Sequence, residues 1–220
     1  MAAGPGAAMS VPFSLDRAQG ALCDPWGRRL DLRRRVWAAG APPDAGEAVD
    51  ARAAAAWLQL ESGCPCRVPV AVVGPRAASK SQLAAAEEVG RGLAAMGVAV
   101  LCGGREGVME AVCRGAAAAG GIAVGLVPGP DPAEANPHVG LVLATGIGEA
   151  RNALIARAAL CLVAIGASLG TLSEVALGLQ FGKTVIGLEG AVPLAGVVQA
   201  PTVAQALEVA ARCVLAWEPP

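Results

Sequence analysis

The chain has 220 residues, enough for one domain of ordinary size with an appendage and a sizeable core. Hydrophobic residues make up 55% and charged residues 16%, with two Phe and no Tyr, so Ala, Val, Leu and Ile must fill that core; this favours an α/β protein over an aromatic-rich β-sandwich. A formal net charge of −1 offers no basic field to neutralise the phosphates of a duplex, and no apolar run approaches the roughly 18 residues a membrane span requires, so neither nucleic acid nor membrane is expected as a partner.

Met1 to Ser10 lacks the charged start and long apolar stretch of a secretory signal, so a cytoplasmic location is expected. Residues 1–66 read as an N-terminal extension. They hold Pro and Gly clusters, three of the four tryptophans (Trp26, Trp37, Trp57) and the basic run from Arg28 to Arg35, which reads as a solvated edge. Alternation around Arg29 to Val36 predicts a short hairpin strand, and Asp50 to Leu60 predicts a helix. Pro42-Pro43 and Cys64-Pro65 mark connections. The tryptophans point to packing on the core or on a partner, outside the ligand site.

From Val68 the chain alternates. Strands are predicted at Val68 to Val73, Val98 to Cys102, Ile122 to Val127, Val139 to Leu143, Leu160 to Ile165 and Thr184 to Leu188. Helices are predicted at Ser79 to Met96, opened by a Ser79-x-x-Gln82 capping box, then at Glu106 to Ala119, Glu149 to Ala159, Thr171 to Gln180 and Val203 to Cys213. Short apolar runs separated by helices predict a Rossmann-like, doubly wound parallel sheet with helices on both faces, spanning residues 67–220.

Seven cysteines require a reading of their own. Cys102, Cys113 and Cys161 fall in apolar strand or helix segments and read as small hydrophobes. The one-residue gap of Cys64-Pro65-Cys66 is shorter than zinc or redox spacings, and His138 is the single histidine, so neither a metal site nor a disulfide scaffold is expected.

Ligands of such sheets sit at the carboxyl ends of the strands. Several predicted strands run into glycine there: Gly74, with Arg76 in the same turn, then Gly103-Gly104, Gly166, and the loop holding Gly146 and Gly148. Together these turns can line one crevice. The richest runs from Ala164 through Gly166, Ser168, Gly170 and Thr171 to Glu174, where an apolar strand meets a helix start whose unpaired N–H groups and dipole suit a phosphate. Glycines at 166 and 170 allow close approach of the main chain. Thr171-x-x-Glu174 also has the spacing of a capping box, and the residues alone leave both readings open.

Gly103-Gly104-Arg105-Glu106-Gly107-Val108-Met109-Glu110, Gly146-Ile147-Gly148-Glu149-Ala150-Arg151-Asn152 and the Gly166 to Glu174 run resemble, in order and spacing, the motifs of the Lonely Guy (LOG) family and its superfamily of Rossmann-like nucleotide-binding proteins. The likeness covers about Val68 to Gly190 and is nearest to a branch that includes molybdenum cofactor carrier proteins. LOG enzymes are phosphoribohydrolases that release the base from a nucleoside 5′-monophosphate. The resemblance implies catalytic roles for Arg151 and Glu174; phosphate or ligand contacts are expected from the crevice turns, at Gly74, Arg76, Gly103, Gly104, Gly148, Gly166, Ser168, Gly170 and Thr171. A carboxylate can stabilise the positive charge that develops on the sugar, and an arginine fork can hold phosphate or orient that carboxylate.

The chain departs from the LOG pattern in two places: the family's Pro-Gly-Gly is not kept in the Ile165-Gly166-Ala167-Ser168 stretch ahead of Gly170-Thr171, and the lysine after the arginine is Asn152. Two functions stay open. One is hydrolysis of a nucleoside monophosphate; the other is binding without reaction of a phosphorylated nucleotide or pterin, with molybdenum cofactor as the leading cargo and no resident cofactor required. Pyridoxal-dependent decarboxylation is set aside because Lys80 and Lys183, the only lysines, fall outside the motifs. The resemblance also implies a homodimer or larger homo-oligomer paired through helices beside the site, where the alanine-rich face of Glu149 to Ala159 permits close approach.

Overall fold

The computed structural model describes residues 12–40 and 45–219. The readings made for Met1 to Ser10 and for Pro42-Pro43 lie outside the described residues. The N-terminal part opens with strands β1 (Phe13–Asp16), β2 (Ala21–Cys23), β3 (Arg28–Asp31), β4 (Val36–Ala39) and β5 (Glu47–Val49), which form an antiparallel sheet in the order β4-β3-β2-β1-β5. The single strand expected around Arg29 to Val36 is instead a hairpin, β3–β4, whose turn takes up residues 32–35 and sets Leu30 opposite Trp37. Its turn is held by the Asp31 carboxylate, which accepts from the Arg33 and Arg34 N–H groups at 3.0 and 2.9 Å. The remaining strands of this sheet escaped the sequence reading because three or four residues are too few to display a period of two. Helix α1 (Ala51–Leu60) follows, with Asp50 Oδ1 accepting from the Ala53 N–H at 2.7 Å.

The rest of the chain runs β6 (Val70–Val73), α2 (Lys80–Ala95), β7 (Val100–Cys102), α3 (Val108–Ala118), β8 (Ala123–Val127), β9 (Leu141–Ala144), α4 (Arg151–Ala158), β10 (Leu162–Ile165), α5 (Leu169–Gln180), β11 (Val185–Leu188), β12 (Val197–Gln199) and α6 (Val203–Val214). Each predicted strand and helix is present with its ends shifted by a residue or two, and the short edge strand β12 is additional. The Ser79–Gln82 capping box forms at the start of α2. All seven strands are parallel, in the order β12-β11-β10-β6-β7-β8-β9. The chain therefore builds outward from β6 to β9, returns to the other side of β6, and builds outward again from β10. Between β6 and β10 successive connections diverge to opposite sides, which opens a crevice at their carboxyl ends.

Alternate residues of each strand face opposite layers. Val70, Val72, Val100, Cys102, Val163 and Ile165 pack with α2, α3 and α6 in a large cluster that also takes in Phe13, Leu15, Leu22, Leu30, Trp57 and Leu58. Ala71, Val73, Leu101, Leu162 and Ala164 pack on the other face with Ile155, Ala156 and Val175 of α4 and α5. Cys102, Cys113 and Cys161 are fully buried. The N-terminal sheet is fastened to the end of α6: Trp37 Nε1 donates to the Leu215 carbonyl at 3.0 Å, Arg28 Nη2 to the Glu218 carbonyl at 2.7 Å, and Trp217 Nε1 to Asp24 Oδ2 at 3.2 Å. The Phe13 ring meets Trp217 edge-on at 5.3 Å. Among the described residues no helix is long and apolar enough to cross a membrane, and no group of three or more His, Cys, Asp or Glu side chains is placed to hold a metal.

Candidate functional site

At the carboxyl ends of β6, β7 and β10 lies a cavity of about 550 Å³, walled by the turns after these strands and by the first turns of α4 and α5. Helix α5 starts earlier than its apolar pattern predicts. Ser168 is the cap: its Oγ accepts from the Thr171 N–H at 3.1 Å and shares a hydrogen bond of 2.8 Å with Thr171 Oγ1. Thr171 is thus inside the helix, and Glu174 lies almost a full turn further on, out of reach of the free N–H groups at the helix start. The capping-box reading of Thr171-x-x-Glu174 does not hold.

Glu174 instead turns its carboxylate to the cavity floor. Oε1 accepts from Arg151 Nη1 at 3.3 Å, with both side chains more than nine-tenths buried. The same Nη1 donates to Asn152 Oδ1 at 2.8 Å; Asn152 Nδ2 donates to Ser173 Oγ at 2.8 Å, and Ser173 Oγ donates to the Gly170 carbonyl at 2.7 Å. This relay ties the start of α4 to the first turn of α5. Gly103 is required beside it: a Cβ there would lie 2.5 Å from Arg151 Nη2. A Cβ on Gly74 would lie 2.6 Å from the Ile165 carbonyl, so glycine lets β6 and β10 close the floor.

The Arg151–Glu174 contact is longer than the roughly 2.7–2.9 Å of a strong charge-assisted bond, and Arg151 Nε is buried with no partner. Burial pushes the Glu174 carboxyl up to about 7, against the opposing pull of Arg151. Burial likewise weakens the hold of Arg151 on its proton, with Glu174 acting in the opposite direction. Two buried charges that compensate each other incompletely make a floor suited to a further polar or anionic group.

Of the residues singled out from sequence, Gly74, Arg76, Gly103, Arg151, Ser168, Gly170, Thr171 and Glu174 line this cavity. The other three glycines do not. Gly104 lies behind the wall against Gly125 and Val127, Gly166 is covered by the Gln82 amide, and Gly148 opens the short 3-10 turn that leads into α4, with open space around it. Arg105, Met109, Glu149, Asn152 and Leu169 also line the cavity and were not singled out. Arg105, Glu149, Asn152 and Leu169 each directly follow a chosen motif residue, which is the signal that was available; Leu169 stands at the rim, 88% exposed.

Fold and site together define a Rossmann-like protein of the LOG-like superfamily, with its cavity at the strand switch point. The chain belongs to the SLOG cluster4 family, whose pattern matches residues 67–218. It is 33% identical over 127 residues to an uncharacterized protein of Archaeoglobus fulgidus, a match that spans 58% of this chain and 83% of that one. Among solved structures it is similar to the molybdenum cofactor binding protein of Rippkaea orientalis, at 33% identity and a TM-score of 0.62 over 66% of this chain and 96% of that one. It is also similar to the molybdenum cofactor carrier protein of Chlamydomonas reinhardtii, at 35% identity and a TM-score of 0.62 over 69% of this chain and all of that one.

Proposed function

We propose that the chain is a carrier that holds a phosphorylated pterin, with molybdenum cofactor as its cargo. The observation that carries this reading is the cavity floor, where the Arg151 guanidinium, held by Glu174 only at 3.3 Å, lines the space beside the first turn of α5. A phosphate seated there meets a guanidinium and the uncommitted first N–H groups of a helix. The choice of cargo is supported by the likeness to the Rippkaea and Chlamydomonas proteins, which are matched over nearly their whole length. Carriage needs only binding, and Asn152 in place of a lysine leaves the anion contacts to arginine.

One observation favours hydrolysis of a nucleoside 5′-monophosphate as a second reading: Glu174, held at about 7 by burial, sits where it can face a sugar. Native mass spectrometry of protein purified from its own host, together with a screen of nucleoside monophosphates for base release, tests the two. A co-purifying pterin and no base release is the expected result. Base release that is lost by about 10²-fold in Glu174→Gln, some 2.7 kcal/mol of transition-state stabilisation, replaces the carrier reading with the enzyme.

We propose further that the chain forms a homodimer through the face beside α4. There an apolar groove of about 350 Å³ is lined by Leu101, Val124, Leu126, Leu143, Leu154 and the stem of Arg157, and Leu141 on the edge strand is half exposed. Exposed apolar surface of this kind is a common mark of association.

A further inference from the structure

The cavity carries more positive charge than its floor uses. Arg76, in the turn after β6, and Arg105, in the turn after β7, both stand on its rim, and neither takes part in any ion pair among the described residues. The two turns abut. The Val108 N–H donates to the Pro75 carbonyl at 3.1 Å, and Gly107, at φ 71°, lies so close that a Cβ there would be 2.3 Å from the Arg76 carbonyl oxygen. Gly107 also begins α3 with no side-chain cap, which leaves first-turn donors of that helix beside Met109 on the cavity wall.

The charges press on one another. Burial is the first reason Arg151 holds its proton less firmly, and the positive charge of Arg105 adds to it. The carboxylates available in answer are Glu174 on the floor, Glu149 at the exposed rim and Glu110 in the first turn of α3. Glu174 is already committed to Arg151, so three guanidinium groups converge on a space where two of them lack a partner.

We propose that Arg76, Arg105 and the first turn of α3 form an outer oxyanion subsite, so that the ligand of this chain carries two anionic groups, one at Arg151 and α5 and a second at the rim. This rests on the reading of the floor as a phosphate site. The second oxyanion has two chemical sources: the β-phosphate of a pyrophosphate-bearing ligand, or the oxo-metal head of a molybdenum-bearing one.

Calorimetric titration of the full chain at one fixed salt concentration, with AMP, with ADP, and with molybdate added to AMP-saturated protein, tests this. ADP binding at least tenfold tighter than AMP, with the gain lost in Arg76→Ala and Arg105→Ala, establishes the subsite and identifies a β-phosphate. Molybdate joining AMP-saturated protein, and failing to join it in the same variants, establishes the subsite and identifies the oxo-metal source. Among the described residues neither arginine has an ion pair or a side-chain hydrogen bond to lose, so unfolding curves should match wild type. If AMP binds but ADP binds no tighter and molybdate does not join, or if a gain survives in both variants, the outer subsite is refuted while the floor stands. Absence of binding by all three probes refutes the floor reading, and the outer subsite with it.

Discussion

Replacing Glu174 by Gln should flatten the pH dependence of stability that this residue imposes on the ligand-free protein. The folded carboxyl titrates at about 7 instead of 4.5 because burial disfavours its charge more than Arg151 at 3.3 Å favours it. A folded-state value raised in this way gives stability that is fully present below pH 4.5 and is lost as pH rises through 7. Within that window the folded chain keeps a proton that the unfolded chain releases. A rise from 4.5 to about 7 corresponds to about 3 kcal/mol at roughly 1.36 kcal/mol per unit. The side chain is only 8% exposed, so solvent screening takes little from this figure. Glutamine mimics the protonated acid at every pH, and Arg151 stays cationic throughout. The two proteins should therefore unfold alike near pH 4.5, and the variant should be the more stable by about 3 kcal/mol at pH 8, on the order of 10 °C in Tm for a chain of this size. Urea and thermal unfolding of both from pH 4.5 to 8.5 measure the difference, from which every other titrating group cancels. A difference that does not change with pH refutes the reasoning.

Affinity for AMP should fall as pH rises from 6 to 8 in the wild-type protein, because ionised Glu174 repels the phosphate, and should stay nearly flat in Glu174→Gln; calorimetry at each pH reads this. Arg151→Ala should weaken phosphate binding by tenfold or more, since it removes a charge-assisted donor already engaged in the ground state, and equilibrium titration of the variant checks it. Light scattering at micromolar concentration should give a dimer for the wild type and a monomer for Leu154→Glu, which places a charge in the apolar groove; a monomeric wild type rejects the interface. A chain shortened to begin at Arg67 should unfold at lower temperature than the full protein, because Phe13, Trp37 and α1 leave the end of α6 uncovered, and calorimetry compares the two.

The alternation of apolar runs and helices from Val68 onward determined the parallel sheet, because each strand is buried on both faces and each helix must cover one of them. The same turns located the cavity, since glycine is needed where a strand end, a guanidinium and a helix start meet, as at Gly74 and Gly103. Sequence did not reveal the N-terminal antiparallel sheet. Its strands are held by pairing with each other and by the carbonyls that end α6, contacts some 178 residues apart in the case of Trp37 and Leu215. Local pattern carries no trace of such partners.

Glu174 shows the division most sharply. From the spacing Thr171-x-x-Glu174 a cap and a ligand-facing acid were equally consistent, because both place a carboxylate near a helix start. Only the fold decided, by capping α5 with Ser168 and by bringing Arg151, 23 residues earlier in the chain, against the acid in a buried place. Arg105 gained its place in the same way, from the abutment of two turns at Gly107 and Pro75. Residue type and spacing determined which groups were available. Which of them face one another was decided by the strand order around β6, because the crossover between β9 and β10 brings distant segments to one edge of the sheet.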